Sequence, residues 1–102
     1  MMLSGWQNIN GKWYYLNNDM KIGWQKISNK WYYFASNGVM TTGWQKINDN
    51  WYYLEANGTM HTGWLELNNK WYYLNNSGIM VTGRQTINGK TYTFNSNGVW
   101  ID

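Results

Sequence analysis

Aromatic side chains are the residues of this sequence that could do chemistry. The segment GWQKINDNWYYLEANGTMHT, residues 43–62, contains two Trp and two adjacent Tyr, and close copies precede and follow it. Two Trp converging with a Tyr form a three-walled aromatic box, which can hold a quaternary ammonium through cation–π attraction and methyl contact. Met is a soft, polarizable side chain that suits a fourth wall. The alternative is that these side chains only pack the copies together. We adopt that interpretation for the Ile, the Leu and the second Tyr of each copy.

Charged residues are too irregularly placed to supply a counter-ion or a catalytic centre. No acidic residue recurs at one position of the repeat; Glu66, for example, stands where sister copies have Lys26 and Lys46. A repeated cation site would therefore rely on its rings, which suits a methylated ammonium better than Lys or a metal ion. Catalysis requires a positioned nucleophile, base or metal, whereas the chain has no Cys and one His, His61, which we interpret as a solvent-facing loop residue. We expect a non-catalytic protein without a metal or a cofactor.

Composition limits the other classes of function. Charged residues make up 13% of the 102 residues and the formal net charge is +3, so electrostatic attraction alone favours no partner. An aromatic content of 20% is atypical of disordered chains. No apolar run approaches the length of a membrane span, and the first residues, MMLSGW, lack the basic start and apolar stretch of a signal peptide. We therefore expect a fragment of a longer protein, or a protein exported by another route, as phage proteins are.

A repeat of about 20 residues organises the whole chain. Five copies begin at Gly, and we define repeats 1 to 5 as residues 5–22, 23–42, 43–62, 63–82 and 83–102. A fixed period of this length is typical of a solenoid. Each repeat has two short, aromatic-rich runs, and the Asn-Gly pairs at residues 10–11 and 88–89 are strong signals for two-residue hairpin turns. We predict one all-β domain over residues 1–102, a solenoid of consecutive β-hairpins.

The register of these hairpins separates two faces. A two-residue turn at residues 10–11 pairs Trp6 with Tyr15. Because side chains alternate along a strand, each hairpin has a Trp face and an Ile/Tyr/Leu face. In repeat 1 the Trp face holds Trp6, Trp13 and Tyr15, and the opposite face holds Ile9, Tyr14 and Leu16.

Repeat 5 keeps only one of these faces. Its Trp face is replaced by Arg84, Thr91 and Thr93, and its other face is kept as Ile87, Tyr92 and Phe94. A terminal repeat that loses one face is a cap, so we expect each Trp face to look toward the next repeat and each Ile/Tyr/Leu face to look back. Each junction then holds two Trp of one repeat and the first Tyr of the next.

The whole pattern resembles a known family. GW-x-K-I-x-x-x-WYYL-x-x-x-G-x-M-x-TGW, as in residues 43–64, is closely similar to the choline-binding repeats of Gram-positive cell-wall hydrolases, surface proteins and phage endolysins. Repeats 2 to 4 match fully, whereas repeat 1 is two residues shorter and repeat 5 matches in part. The resemblance implies β-hairpins wound into a left-handed solenoid. It also implies that choline of teichoic or lipoteichoic acid binds between repeats, against two Trp of one hairpin, an aromatic residue of the next and a Met.

Carried over by position, the resemblance predicts four choline sites. They are Trp6, Trp13 and Tyr32 with Met20; Trp24, Trp31 and Tyr52 with Met40; Trp44, Trp51 and Tyr72 with Met60; and Trp64, Trp71 and Tyr92 with Met80. The predicted function is a non-catalytic, extracellular module that anchors a larger cell-wall hydrolase or surface protein to phosphocholine-decorated teichoic acid.

Carbohydrate is the alternative ligand, because aromatic platforms also stack on sugar rings. The run TINGKTYTF of repeat 5 resembles the glucan-binding repeats of streptococcal glucosyltransferases and the receptor-binding repeats of clostridial toxins. Single-stranded nucleic acid stacks on aromatics too, but the sparse Lys residues favour a solvated strand edge, and we expect no nucleic-acid partner. In repeat 1, Ile9, Tyr14 and Leu16 have no upstream hairpin to cover them, which predicts a truncated chain or self-association through this face.

Overall fold

The chain is built from short β-strands joined by tight turns. The structure, a computed structural model, describes residues 4–17 and 19–102. In chain order the strands are β1 (Ser4–Ile9), β2 (Lys12–Asn17), β3 (Asp19–Met20), β4 (Gly23–Ile27), β5 (Lys30–Phe34), β6 (Gly43–Ile47), β7 (Asn50–Leu54), β8 (Gly63–Leu67), β9 (Lys70–Leu74), β10 (Gly83–Ile87) and β11 (Lys90–Phe94). β1 to β3 form a three-stranded sheet, and β4–β5, β6–β7, β8–β9 and β10–β11 form two-stranded sheets. Over the described residues, the prediction of an all-β chain of consecutive hairpins is confirmed.

The hairpin turns consist of residues in the left-handed backbone conformation. In the first turn Asn10 and Gly11 have φ values of 55° and 81°. Two successive positive φ values are typical of a type I′ turn, whose twist matches that of the flanking strands. The same conformation occurs at Ser28-Asn29, Asn48-Asp49, Asn68-Asn69 and Asn88-Gly89. The turns predicted at residues 10–11 and 88–89 are confirmed, and Asn and Asp take the place of Gly elsewhere because they tolerate this conformation.

Strand register places the side chains on the predicted faces. In the first hairpin Trp6 lies opposite Tyr15, and Asn8 lies opposite Trp13. The fourth hairpin has the equivalent register, with Trp64 opposite Tyr73. The two Trp of a hairpin are therefore diagonal neighbours on one face, and the first Tyr of each WYY run lies on the other face.

The last residue of the second strand forms the core of each later hairpin. Phe34, Leu54 and Leu74 are completely buried, and Phe94 is 2% exposed. Trp6 packs on Phe34 with ring centroids 5.7 Å apart, and Trp64 packs on Phe94 at the same separation. These contacts confirm that a Trp face looks toward the hairpin that follows it.

The chain divides into two compact units. The first comprises the residues up to Gln45 together with Leu54–Met60, and the second comprises Lys46–Tyr53 together with His61–Asp102. That residues 1–102 form one repeat domain stays a prediction, as does self-association through the first hairpin. The described part of the chain contains no helix that is long and apolar enough to cross a membrane.

Candidate functional site

The first compact unit contains an aromatic box that we call the N-terminal box, formed by Trp6, Trp13, Tyr32 and Met40. The first hairpin supplies both Trp, whose ring centroids lie 6.2 Å apart at an interplanar angle of 82°. Tyr32 comes from β5 of the next hairpin, and its ring lies 4.8 Å from that of Trp6 at 67°. These rings and Met40 line a cavity of about 380 Å³, which Ala56 and Asn57 complete.

The second compact unit contains the C-terminal box, formed by Trp64, Trp71, Tyr92 and Trp100. The Trp64 ring lies 6.1 Å from Trp71, 4.9 Å from Tyr92 and 6.1 Å from Trp100. The four side chains line a cavity of about 310 Å³. Two consecutive hairpins thus build the same arrangement of two Trp and one Tyr as in the N-terminal box, with Trp100 as a fourth ring.

In both boxes the cavity is lined by the Tyr that stands at the position of the first Tyr of a WYY run, and not by the second. Tyr73 packs against Trp64 within its own hairpin, with centroids 5.2 Å apart, but Tyr92 lines the cavity of the C-terminal box. Tyr15 likewise packs on Trp6 at 5.3 Å, whereas Tyr32 lines the N-terminal box. The second Tyr therefore supports the Trp ring from its own hairpin, and the box takes its Tyr from the following one.

For the N-terminal box, the methionine predicted from the sequence is wrong by one repeat. The Met40 amide donates a hydrogen bond to the Trp13 carbonyl at 2.8 Å, so Met40 and not Met20 lines the N-terminal box. The reason is the path of the segment that connects each hairpin to the next. Met40, in the segment after the second hairpin, forms a bridge with Phe34 of that hairpin and also donates its backbone N–H to the hairpin before it. The equivalent bonds run from Met60 to Trp31, from Met80 to Trp51 and from Trp100 to Trp71.

Trp100 is a box residue that sequence reasoning missed. Its amide donates to the Trp71 carbonyl at 2.8 Å, and its ring lies 5.8 Å from that of Tyr92. It therefore takes the place predicted for Met80 in the C-terminal box. Comparing NGVM at residues 37–40 with NGVW at residues 97–100 shows that Trp100 stands at the repeat position of a methionine, but not which box it enters.

Of the remaining predicted box residues, Trp24 and Trp31 lie on one face of the second hairpin, as expected. Trp24 and Trp31 face each other across the second hairpin, with centroids 6.2 Å apart at 87°. Their grouping with Tyr52, and that of Trp44, Trp51 and Tyr72, stays a prediction. His61 differs from its predicted role as a solvent-facing residue, because it is half-buried and its Nε2 lies 2.9 Å from the Trp64 carbonyl oxygen.

The boxes offer ring faces without a counter-charge. No charged side chain lines either cavity, and residues 4–17 and 19–102 contain no cluster of three His, Asp or Glu that could hold a metal. Trp13, Trp71 and Trp100 remain 42%, 38% and 42% exposed, whereas the core Phe34 is fully buried. Rings that served only to pack hairpins together would be buried, as Phe34 is. Partly exposed rings around an apolar cavity suit a ligand with a positive charge spread over methyl groups.

Two family models match the sequence. The choline-binding repeat model matches residues 21–60 and 41–84, and the cell wall binding repeat model matches residues 4–19. The chain belongs to the choline-binding repeat family. The family predicted from the residue pattern is thus confirmed. No curated protein sequence matches the chain.

Solved structures of choline-binding proteins share this fold. Choline binding protein F from Streptococcus pneumoniae is 46% identical with a TM-score of 0.95, and the match covers 98% of this chain and 35% of that one; a complex of it with ipratropium has also been solved. CbpJ from Streptococcus pneumoniae is 43% identical with a TM-score of 0.96, over 98% of this chain and 36% of that one. The pneumococcal cell wall endolysin of phage Cp-1, solved in complex with choline, is 33% identical with a TM-score of 0.71, over 97% of this chain and 37% of that one. The chain spans about a third of the length of these proteins.

Proposed function

We propose that this repeat region binds choline and thereby anchors its protein to the choline of teichoic or lipoteichoic acid in a Gram-positive cell wall. The observation that carries the proposal is the pair of apolar boxes lined by Trp, Trp and Tyr, with no carboxylate on any wall. Such a site attracts a cation through ring faces alone. The quaternary ammonium of choline fits it because its charge is spread over bulky, weakly hydrated methyl groups.

The chemistry of solved relatives supports the same ligand class. The phage Cp-1 endolysin was solved with choline, and choline binding protein F was solved with ipratropium, which also carries a quaternary ammonium. We propose that the boxes of this chain bind the same class of ligand. The groups built on Trp24 and Trp31, and on Trp44 and Trp51, are proposed as choline sites from the repeat alone.

Weak single sites would give a firm anchor through multiplicity. A cation–π contact contributes roughly 0.5–2 kcal/mol, so three rings give about 2–6 kcal/mol, which corresponds to a Kd between roughly 30 mM and roughly 40 μM. Several sites on one polymer raise the effective concentration, and avidity gains roughly 10²–10⁴ without new contacts. The region therefore acts as a non-catalytic, extracellular cell-wall anchor for the rest of its protein, and free choline in excess would release it.

Titration of intrinsic Trp fluorescence tests the proposal. We expect saturable changes with choline and much weaker ones with ethanolamine, which keeps the charge but lacks the methyl groups. Dextran and single-stranded oligonucleotides serve as comparison ligands. A response to dextran alone would assign the region to carbohydrate. A response that falls steeply with added salt would indicate phosphate contacts, because counterion release dominates nucleic-acid binding.

A further inference from the structure

The two boxes differ in one wall, while the backbone that carries this wall is the same. The backbone N–H groups of Met40 and Trp100 each donate a hydrogen bond to the carbonyl oxygen of the second Trp of the preceding hairpin, with an N···O distance of 2.8 Å in each case. Both also pair with the last residue of their own hairpin, Phe34 for Met40 and Phe94 for Trp100. The structure therefore exchanges a thioether for an indole at one fixed position.

The Trp100 side chain faces the other rings of the C-terminal box. Its ring is inclined by 66° to Trp64 and by 70° to Tyr92. With 42% of its surface exposed, the indole is available to a ligand. The cavity is smaller than that of the N-terminal box, at about 310 Å³ against about 380 Å³, and aromatic side chains alone line it.

An indole and a thioether interact differently with a cation. The face of an indole carries the negative part of the ring quadrupole, and Trp is the strongest cation–π partner among the side chains. A thioether contributes polarizable contact but no such face. The N-terminal box includes the polar residue Asn57 in its lining, whereas aromatic residues alone line the C-terminal box.

We propose that the C-terminal box is a separate, higher-affinity class of site, in which Trp100 selects quaternary ammonium ions by their charge. This inference rests on the proposed function and refines it. A fourth ring tightens choline binding by roughly 2- to 30-fold relative to the Met-walled box. The C-terminal box therefore fills first as the choline concentration rises. It also discriminates more strongly against a neutral ligand of the same shape, since the electrostatic attraction of the fourth ring face acts only on a charged ligand.

The two boxes can be followed separately by the indole N–H signals of their Trp residues in NMR spectra of the ¹⁵N-labelled full chain. Single Trp→Phe substitutions assign the signals. Choline is titrated first, and 3,3-dimethylbutan-1-ol, its neutral carbon analogue, second. Trp100→Met and the reciprocal Met40→Trp exchange the walls, and Ile101→Ala is the matched control, since Ile101 is 61% exposed and lines neither cavity.

The expected result is a choline midpoint for Trp64 and Trp71 that is roughly 2- to 30-fold lower than that for Trp6 and Trp13. Trp100→Met should remove this difference, Met40→Trp should lower the midpoint of the N-terminal box, and neither should change the response to the neutral analogue by as much. Equal midpoints in the unmodified chain, or a midpoint that Trp100→Met leaves in place, would overturn the inference. If neither box responds to choline, the proposed function itself is overturned. Failure of the further inference and failure of the proposed function are therefore distinguishable.

Discussion

The first and last hairpins carry different halves of two separate boxes. The first hairpin supplies a Trp pair, and its rear face is poorly covered, with Ile9 46% exposed. The last hairpin has the opposite character, because its equivalent Ile87 is only 8% exposed and it supplies Tyr92 and Trp100 to the rings of its predecessor. Where a Trp pair would stand it carries the exposed Arg84 and Thr91.

This difference shows that a box belongs to a junction between hairpins. One hairpin supplies two Trp, and the next supplies a Tyr and, on its connection, a Met or Trp. A hairpin without Trp therefore still supplies half of a site, and loss of its Tyr should damage the box that contains the Trp pair of the preceding hairpin. Since each junction involves only nearby repeats, changes at one end should leave the other end intact.

Of the substitutions that test this difference, Tyr92→Ala should have the largest effect on choline binding. It removes a wall of the C-terminal box and the neighbour that lies 4.9 Å from the Trp64 ring. We expect choline affinity there to fall by roughly 30-fold, the upper end of one cation–π contact, so that calorimetry counts one site fewer. The N-terminal box should keep its affinity.

Tyr73→Ala is the matched control for Tyr92→Ala, because Tyr73 also packs on Trp64 but from within the same hairpin. It should leave the number of bound choline molecules unchanged. The opposite outcome, a site lost with Tyr73→Ala and retained with Tyr92→Ala, would mean that each box is built within one hairpin.

Methionine oxidation should change the choline affinity of one box and not of the other, by a smaller factor than Tyr92→Ala. Peroxide transfers an oxygen atom to the Met40 sulfur, leaving a sulfoxide and water. A polar sulfoxide in an apolar wall costs about 1 kcal/mol or more, so choline affinity at the N-terminal box should fall by roughly fivefold. The C-terminal box, closed by Trp100, should change little when the two boxes are followed by their indole signals.

Met40→Leu is the control for the oxidation experiment. In this variant the other methionines still oxidise, as mass spectrometry can verify, but the N-terminal box should be insensitive to peroxide. Equal weakening of both boxes in the unmodified chain would argue against a direct role of Met40 in its wall.

Much of this arrangement is predictable because its determinants are local. A two-residue turn fixes the pairing of Trp6 with Tyr15, and strand alternation then fixes which side chains share a face. The missing Trp face of the last repeat gives the direction of stacking. These steps assign the Trp and Tyr residues of both boxes without any knowledge of long-range contacts.

The methionine walls were not predictable in the same way. Their position depends on a hydrogen bond between separate hairpins, from the Met40 amide to the Trp13 carbonyl. Neither turn chemistry nor alternation reports where a connection will meet its neighbour. Trp100 escaped prediction for a related reason, since it looks like part of a terminal cap until the path of the connection is known.

Gly58→Ala tests the packing of Gly58 on the Met40 side chain and should have the smallest effect on binding. Gly58 has φ of 89°, and a Cβ there would overlap the Met40 sulfur. The left-handed backbone should cost about 1–2 kcal/mol of unfolding free energy, and displacement of Met40 should weaken choline at the N-terminal box by less than about fivefold. Gly98→Ala has the same φ strain and overlaps Met80 instead. It should therefore lose similar stability in urea denaturation while the N-terminal box keeps its affinity. If both variants shift that box equally, the effect comes from general destabilisation, and the packing of Gly58 on Met40 does not set the shape of the wall.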